Sequence, residues 1–352
     1  MRLWEDKIRK VIPYVPGEQP NQPDMVKLNT NENPYPPAPG VQKILQELNT
    51  DKLRLYPDPT VGGLVQTIAD YYGLKKEQVF VGVGSDDVLA MAFMTFFNSK
   101  KPILFPDITY SFYDVWADLF QIPYESQPLD DDFNIVKTDY FKENGGIIFP
   151  NPNAPTGVEL GQDAIEEIVQ KNPESIVIVD EAYVDFGAHS ALPLIEKYDN
   201  LLVVQTFSKS RSMAGMRIGF AMGNECLIKY LNDVKYSFNS YTMNRTAIET
   251  GIAAIKDQSY FEETVGKIVS VREWAGAELK KLGFSFRESR ANFIFAAHET
   301  VSAKELYQAL RQAHIYVRYF DKPRINNYLR ITIGTQKEME HLIDFLGKYL
   351  KK

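Results

Sequence analysis

A chain of 352 residues is long for one compact core, so one large and one smaller domain is the expected organisation. Its make-up, 44% hydrophobic and 24% charged, is that of an ordinary soluble protein, and no uninterrupted apolar run approaches the ~20 residues that span a bilayer. A net charge of -7 argues against a nucleic-acid partner, and the single cysteine, Cys226, excludes an internal disulfide and a Cys-based zinc cluster.

Read in chain order, the opening Met1-Arg2-Leu3-Trp4-Glu5-Asp6-Lys7 is charged, so no cleavable export signal is expected and a reducing cytoplasm is. Residues 1–37 are poor in regular structure: Pro13-Tyr14-Val15-Pro16-Gly17 and Asn31-Glu32-Asn33-Pro34-Tyr35-Pro36-Pro37 are turn and extended signals. Helical spacing follows over 41–48, and again over 64–72 up to Gly73. Strands over 79–83, 101–105, 146–149, 176–180, 201–205 and 218–222 then alternate with helices over 85–97, 110–120 and 162–170. Near-continuous Val/Ile runs predict strands buried on both faces, hence a largely parallel sheet covered by helices. After about residue 245 the pattern changes to a long helical stretch over 245–282, short strands, a helix over 303–313, a strand pair and a final helix. The expected fold is α/β, a large domain with a mostly parallel central sheet flanked by helices, plus a smaller α+β domain. Expected boundaries are an N-terminal arm 1–37 that belongs with the small domain and closes over the site, a large domain 38–245 and a small domain 246–352.

The most telling stretch is Thr206-Phe207-Ser208-Lys209-Ser210-Arg211, which follows an apolar run and is followed in turn by Gly215-Met216-Arg217. A lysine seated among small residues, with a serine beside it and an arginine eight positions on, suits a covalent seat for an aldehyde with a phosphate nearby. Pyridoxal phosphate is the leading candidate; a solvated basic turn is the alternative on this segment alone. Gly82-Val83-Gly84-Ser85-Asp86-Asp87 follows a strand and opens a helix. Asp87 stands where a dinucleotide fingerprint wants its third glycine, so a single phosphate fits better than a pyrophosphate, with an ordinary helix cap as the other reading. Val179-Asp180-Glu181-Ala182-Tyr183 puts a carboxylate at a strand end, where it could pair with a ring nitrogen, and a tyrosine that could donate to a phenolic oxygen. Tyr110 could stack on a planar ring, and the turn Asn151-Pro152-Asn153-Ala154-Pro155-Thr156-Gly157 could present an amide.

In order and spacing, Asp180-x-x-Tyr183, Ser208-Lys209 and Gly215-Met216-Arg217 resemble the fold-type I pyridoxal-phosphate aminotransferases. Within that family, Pro13-Tyr14-Val15-Pro16-Gly17, Leu28-Asn29-Thr30-Asn31-Glu32-Asn33, Tyr56-Pro57-Asp58 and Leu329-Arg330-Ile331-Thr332 are similar to the histidinol-phosphate aminotransferases. The resemblance implies that Lys209 attaches the cofactor and then serves as base and acid. It implies that Asp180 pairs with the ring nitrogen, Tyr183 bonds the phenolic oxygen and Tyr110 stacks on the ring. Ser85, Asp86, Ser208 and Arg217 would hold the phosphate, with Tyr56 reaching it from a partner subunit of a homodimer. Arg330 would bind a substrate anion, and Tyr14, Asn33 and Arg324 would line the substrate side. One departure stands out: the family often has an asparagine directly before Pro-Thr-Gly, and here that residue is Ala154, so Asn153 would substitute after a small loop shift, or Tyr183 would act alone.

The implied reaction moves an amino group between histidinol phosphate and 2-oxoglutarate, in histidine biosynthesis. An aromatic amino-acid aminotransferase and a threonine-phosphate decarboxylase would share most of these motifs. A non-catalytic cofactor-binding regulator would need an attached DNA-binding segment, for which the arm leaves no room. A nucleotide-dependent dehydrogenase is disfavoured by the incomplete glycine fingerprint.

Overall fold

The computed structural model describes Arg2 and residues 4–351; Met1 and Leu3 of the charged opening lie outside the described residues, as does Lys352. The chain enters with strand β1 (Val26–Leu28) and helices α1 (Pro39–Gln46) and α2 (Gly62–Tyr72). Gly73, at φ +69°, ends α2 in the left-handed conformation that glycine adopts without penalty. Strands and helices then alternate: β2 (Val79–Gly82), α3 (Ser85–Phe96), β3 (Ile103–Pro106), α4 (Tyr113–Phe120), β4 (Tyr124–Gln127), β5 (Ile147–Pro150), α5 (Gln162–Lys171), β6 (Val177–Asp180), β7 (Leu201–Thr206) and β8 (Gly219–Gly223). Three helices follow, α6 (Glu225–Phe238), α7 (Arg245–Lys256) and α8 (Gln258–Lys281), then β9 (Phe284–Phe286), β10 (Phe293–His298), α9 (Ala303–Gln312), β11 (Ile315–Tyr319), β12 (Leu329–Thr332) and α10 (Gln336–Tyr349).

The first sheet has seven strands in the order β2-β8-β7-β6-β5-β3-β4. The side-chain period of a strand explains its two covers. Val177, Val179, Leu201 and Val203 pack against α2, α5 and α7 on one face, while Ile178, Leu202 and Val204 pack against α3, α4 and α6 on the other. This is an α/β fold with a mostly parallel sheet between helical layers. Strand β8 runs against both of its neighbours, and Gly219 at its start pairs with Gly82 at the end of β2 and with Thr206 at the end of β7. The start of the antiparallel strand therefore meets the carboxyl ends of the others, the edge at which open α/β sheets bind ligands. A second sheet, β1-β11-β12-β10-β9, is antiparallel except for β1 beside β11, and is covered by α8, α9 and α10 through Ile268, Leu306 and Leu342.

Four local features depart from the sequence pattern. Strand β1 is three residues long and pairs Val26 with Ile315, a partner no local pattern reveals. Strand β4 is an exposed edge, Tyr124-Glu125-Ser126, without an apolar run. Helix α6 has apolar Leu227, Ile228 and Leu231 on its buried face, but the next buried position is Lys235, which breaks the stripe; its Nζ donates to the Pro59 carbonyl at 2.6 Å. The long helical stretch divides at Asp257, whose side chain accepts from the Tyr260 amide and restarts the helix as α8. No helix among the described residues is long and apolar enough to cross a membrane.

Candidate active site

Loops from the carboxyl edge of the first sheet converge on a cavity of about 190 Å³. Ser85 and Asp86 come from the start of α3, Asp180 from the end of β6, Tyr183 from the loop after it, Ser208 and Lys209 from the loop after β7, and Arg217 from the approach to β8. A second cavity, of about 280 Å³, adjoins it and is lined by Tyr14, Arg318, Phe320 and Arg330. Lys209, Tyr183 and Tyr110 line both, so the lysine stands at the wall between two chambers.

The first chamber is built for an anion at one end. Two turns of backbone meet there so closely that side chains would not fit. A Cβ on Gly219 would lie 2.2 Å from the Ser85 amide nitrogen, and one on Gly84, at φ +85°, would lie 2.5 Å from Arg217 Nη2. This close approach sets the Arg217 guanidinium beside the N-terminus of α3, and Ser85 and Ser208 line the same cavity. Asp86 fixes the guanidinium with a 2.9 Å contact and accepts from Tyr110 Oη at 2.6 Å. Amide donors, two hydroxyls and a guanidinium fork match a phosphate monoester.

The other end suits a cation. Asp180 is 5% exposed and accepts from Tyr113 Oη at 2.9 Å and from the Ala182 amide at 3.2 Å. Burial outweighs those bonds and pushes its carboxyl up to about 6. A protonated ring nitrogen beside it would relieve that penalty. Between the two ends lies Lys209 Nζ, whose one hydrogen bond among the described residues is to the Thr30 carbonyl at 3.3 Å and which sits 5.7 Å from the centre of the Tyr183 ring. These residues therefore fit pyridoxal phosphate: an anion cradle, an amine and a buried acid in one chamber.

The second chamber carries two guanidiniums. Arg318 on β11 and Arg330 on β12 are cross-strand partners. Arg330 donates to the Asn29 carbonyl at 3.0 Å, its Nε has no partner, and burial lowers its pKa. Neither arginine meets a carboxylate among the described residues, so both are available to an anionic substrate.

Not every residue singled out from the motifs reaches these chambers. Asn33 lies behind the lysine, donating to the Lys209 and Ser210 carbonyls at 3.0 and 3.1 Å. Asn153 is buried and donates to the Ile108 carbonyl and to Thr156 Oγ1, while Ala154 is the residue that faces the cavity. Arg324 lines neither of these chambers; it is bound by Asp107 at 2.8 Å and by the Leu129 carbonyl at 2.7 Å, and lines an adjoining cavity together with Tyr14, Arg318 and Phe320. Tyr56 is exposed and packs on Tyr241, 4.6 Å between ring centres, away from both chambers of its own chain. Residues given no role from the motifs are Arg318, Tyr113, Asn31 and Glu32, although the last two lie within the Leu28–Asn33 stretch. Burial raises the Glu32 carboxyl, but hydrogen bonds from Lys27 and Thr30 more than offset it, so it lies below the usual range. Arg318 shares a sheet face with Arg330 because the register of β11 with β12 sets the two opposite one another, a long-range pairing that neither strand's residues display.

Residues 23–346 match the family described as aminotransferase class I and II. The histidinol-phosphate aminotransferase of Lactococcus lactis subsp. cremoris (strain MG1363) is 51% identical over 348 residues, covering 99% of this chain and 98% of that protein. Histidinol-phosphate aminotransferase 1 of Hydrogenovibrio crunogenus is 54% identical over 350 residues, covering 99% and 98%. The crystal structure of the histidinol-phosphate aminotransferase from Sinorhizobium meliloti, in complex with pyridoxal-5'-phosphate, shares the fold at a TM-score of 0.83 and 22% identity, covering 92% of this chain and 90% of that one.

Proposed function

The chain belongs to the class I and II aminotransferase family, and from that premise we propose that it exchanges the amino group between L-histidinol phosphate and 2-oxoglutarate, in histidine biosynthesis. The observation that carries the substrate class is the Arg318–Arg330 pair across β11 and β12, opening onto Lys209 without a carboxylate of its own. A guanidinium fork takes a carboxylate or a phosphate in the same two-pronged way, which suits a site whose two substrates carry different anions.

Bound pyridoxal phosphate supplies an aldehyde that takes up amines and a ring that withdraws electrons from the carbon losing its proton. Ser85, Ser208, Arg217 and the first amides of α3 hold its phosphate, with Asp86 fixing the guanidinium. The Asp180 carboxylate would pair with the ring nitrogen and favour its protonated form. Lys209 Nζ accepts the proton from the amine-bearing carbon of the substrate and returns it as an acid. Arg330 and Arg318 would hold the substrate anion, and Tyr14, stacked on Phe112 at 4.1 Å, lines the same chamber. Asn33 supports the lysine loop rather than the substrate. The cofactor domain starts at residue 38 and runs past the expected end at 245, because α7 covers the first sheet through Ala247, Ile248 and Ala254, and the arm 1–37 joins the small domain that follows α7 through β1. The working unit is a homodimer in which Tyr56 reaches the partner's cofactor phosphate, located in the cytoplasm, where the exposed Cys226 stays reduced.

Turnover with 2-oxoglutarate is the test. Histidinol phosphate is expected to exceed phenylalanine in kcat/KM, and threonine phosphate to release no carbon dioxide. No turnover of histidinol phosphate would sink the proposal; preference for phenylalanine would reassign the chain to the aromatic aminotransferases.

A further inference from the structure

The hydroxyl of Tyr183 is held from behind by the N-terminal arm. Asn31 is 1% exposed, and all four of its polar groups are bonded. Its amide N–H donates to Thr332 Oγ1 at 3.0 Å, and its carbonyl accepts from Asn292 Nδ2 at 3.0 Å. In the side chain, Oδ1 accepts from Thr332 Oγ1 at 2.9 Å and Nδ2 donates to Tyr183 Oη at 2.9 Å. Thr332 and Asn292 are themselves buried. The side-chain amide cannot turn over at no cost: reversed, it would leave the Thr332 hydroxyl proton without an acceptor in a dry site. The backbone is likewise committed, since Asn31 sits at φ +55°, a conformation asparagine tolerates better than most residues.

An amide nitrogen has no lone pair to offer, so Tyr183 Oη must accept from Asn31. Its own proton is then free to point only toward the chamber it shares with Lys209. The neighbouring arm residues grip the lysine itself, through the Thr30 carbonyl on Nζ and Asn33 on the Lys209 carbonyl. We propose that Asn31 is a positioning residue that fixes the Tyr183 hydroxyl as a donor into the cofactor chamber and ties that orientation to the second sheet through Thr332 and Asn292. A hydroxyl that donates to an anionic oxygen of the bound group favours its deprotonated form, so Asn31 lowers the pH at which the lysine-linked chromophore titrates. The inference rests on the reading of this chamber as a pyridoxal-phosphate site.

The experiment is a visible-absorbance pH titration of the cofactor-loaded chain. Asn31→Gly keeps the backbone bonds to Thr332 and Asn292, and glycine accepts the positive φ. Its midpoint is expected to rise by about half a unit to one unit, by the loss of one hydrogen bond to the charged form. In a Tyr183→Phe background the same change is expected to move nothing further, because Asn31 acts through the hydroxyl. Thr332→Val, which frees the amide without removing it, gives a smaller shift of the same sign and serves if Asn31→Gly folds poorly. A midpoint unchanged in both variants, or a shift that persists in Tyr183→Phe, would overturn the inference alone. A wild-type chain with no visible band, or a band that survives Lys209→Ala, would overturn the cofactor reading and this inference with it.

Discussion

Asp180 stands where the proposed chemistry wants an anion and where burial resists one. Its carboxyl, pushed up to about 6 from 3.8, binds its proton more tightly in the folded than in the unfolded chain. A raised carboxyl of this kind costs nothing below the unfolded value, where both states are protonated. The cost grows as the pH rises from about 4 to about 6 and is complete above that, at a ceiling of about 3 kcal/mol for a shift of about two units. Asp180→Asn is therefore expected to stabilise the cofactor-free protein in denaturant melts, by about 1 kcal/mol more at pH 8 than at pH 5. The same change is expected to cut transamination by about a hundredfold or more, since it removes the fixed charge from the ring nitrogen. A variant that melts like the wild type at both pH values would show that the buried carboxylate is compensated by something else. Arg330 follows the same logic with the sign reversed: burial disfavours its charge until an anion arrives.

At the scale of elements, the site depends on how closely β8 approaches the start of α3. Gly219 has no room for a side chain, and the atoms a Cβ would meet are backbone, the Ser85 nitrogen at 2.2 Å and the Gly84 carbonyl carbon at 2.3 Å. Gly219→Ala must push the strand from the helix, so it is expected to cost about 3 kcal/mol of stability and to weaken cofactor retention. Gly266→Ala is the contrasting case: it lies within α8 with nothing within 4 Å of the added carbon, and is expected to be neutral or to stabilise by about 0.5–1 kcal/mol in the same melts. Equal losses in the two would refute the packing argument. The sheet and the lysine loop were legible in the sequence because each is local: a Val/Ile run, then Ser208-Lys209. Arg217 is legible because it follows Lys209 by eight positions, in Gly215-Met216-Arg217. What stayed hidden is what two distant segments make together. The pairing of β1 with β11 brings Asn31 to Tyr183, and the register of β11 with β12 brings Arg318 beside Arg330. The resemblance implies a substrate-side role for Arg324, and what no residue string displays is its ion pair with Asp107 at 2.8 Å.

For the molecule as a whole, one face remains without a partner. Leu53, Leu55 and Tyr56 on the loop after α1, with Tyr236, Phe238 and Tyr241 at the end of α6 and beyond it, are exposed large apolar side chains, with Tyr56 at 78% and Phe238 at 70%. Tyr56 rests on Tyr241, and the Pro59 carbonyl accepts from Lys235, so the loop and the helix form one surface. Apolar patches of this kind mark contact sites on soluble proteins. Each aromatic ring buried there removes roughly 150–250 Å² from water, worth a few kcal/mol before the cost of association. A two-fold copy of the same face would cover the patch, and the role proposed for Tyr56 requires it to reach the other chain's phosphate cradle across such a contact. Phe238→Asp would set a desolvated charge in that contact, at a cost of several kcal/mol, and lies outside both chambers. Sedimentation at micromolar concentration is expected to give a dimer for the wild type and mostly monomer for Phe238→Asp. The monomer is expected to retain pyridoxal phosphate more weakly on dialysis, as the proposed reach of Tyr56 to the partner's phosphate requires. A wild-type monomer that holds its cofactor as firmly as any dimeric preparation would show that Tyr56 has no part in the site and that the exposed face serves another partner.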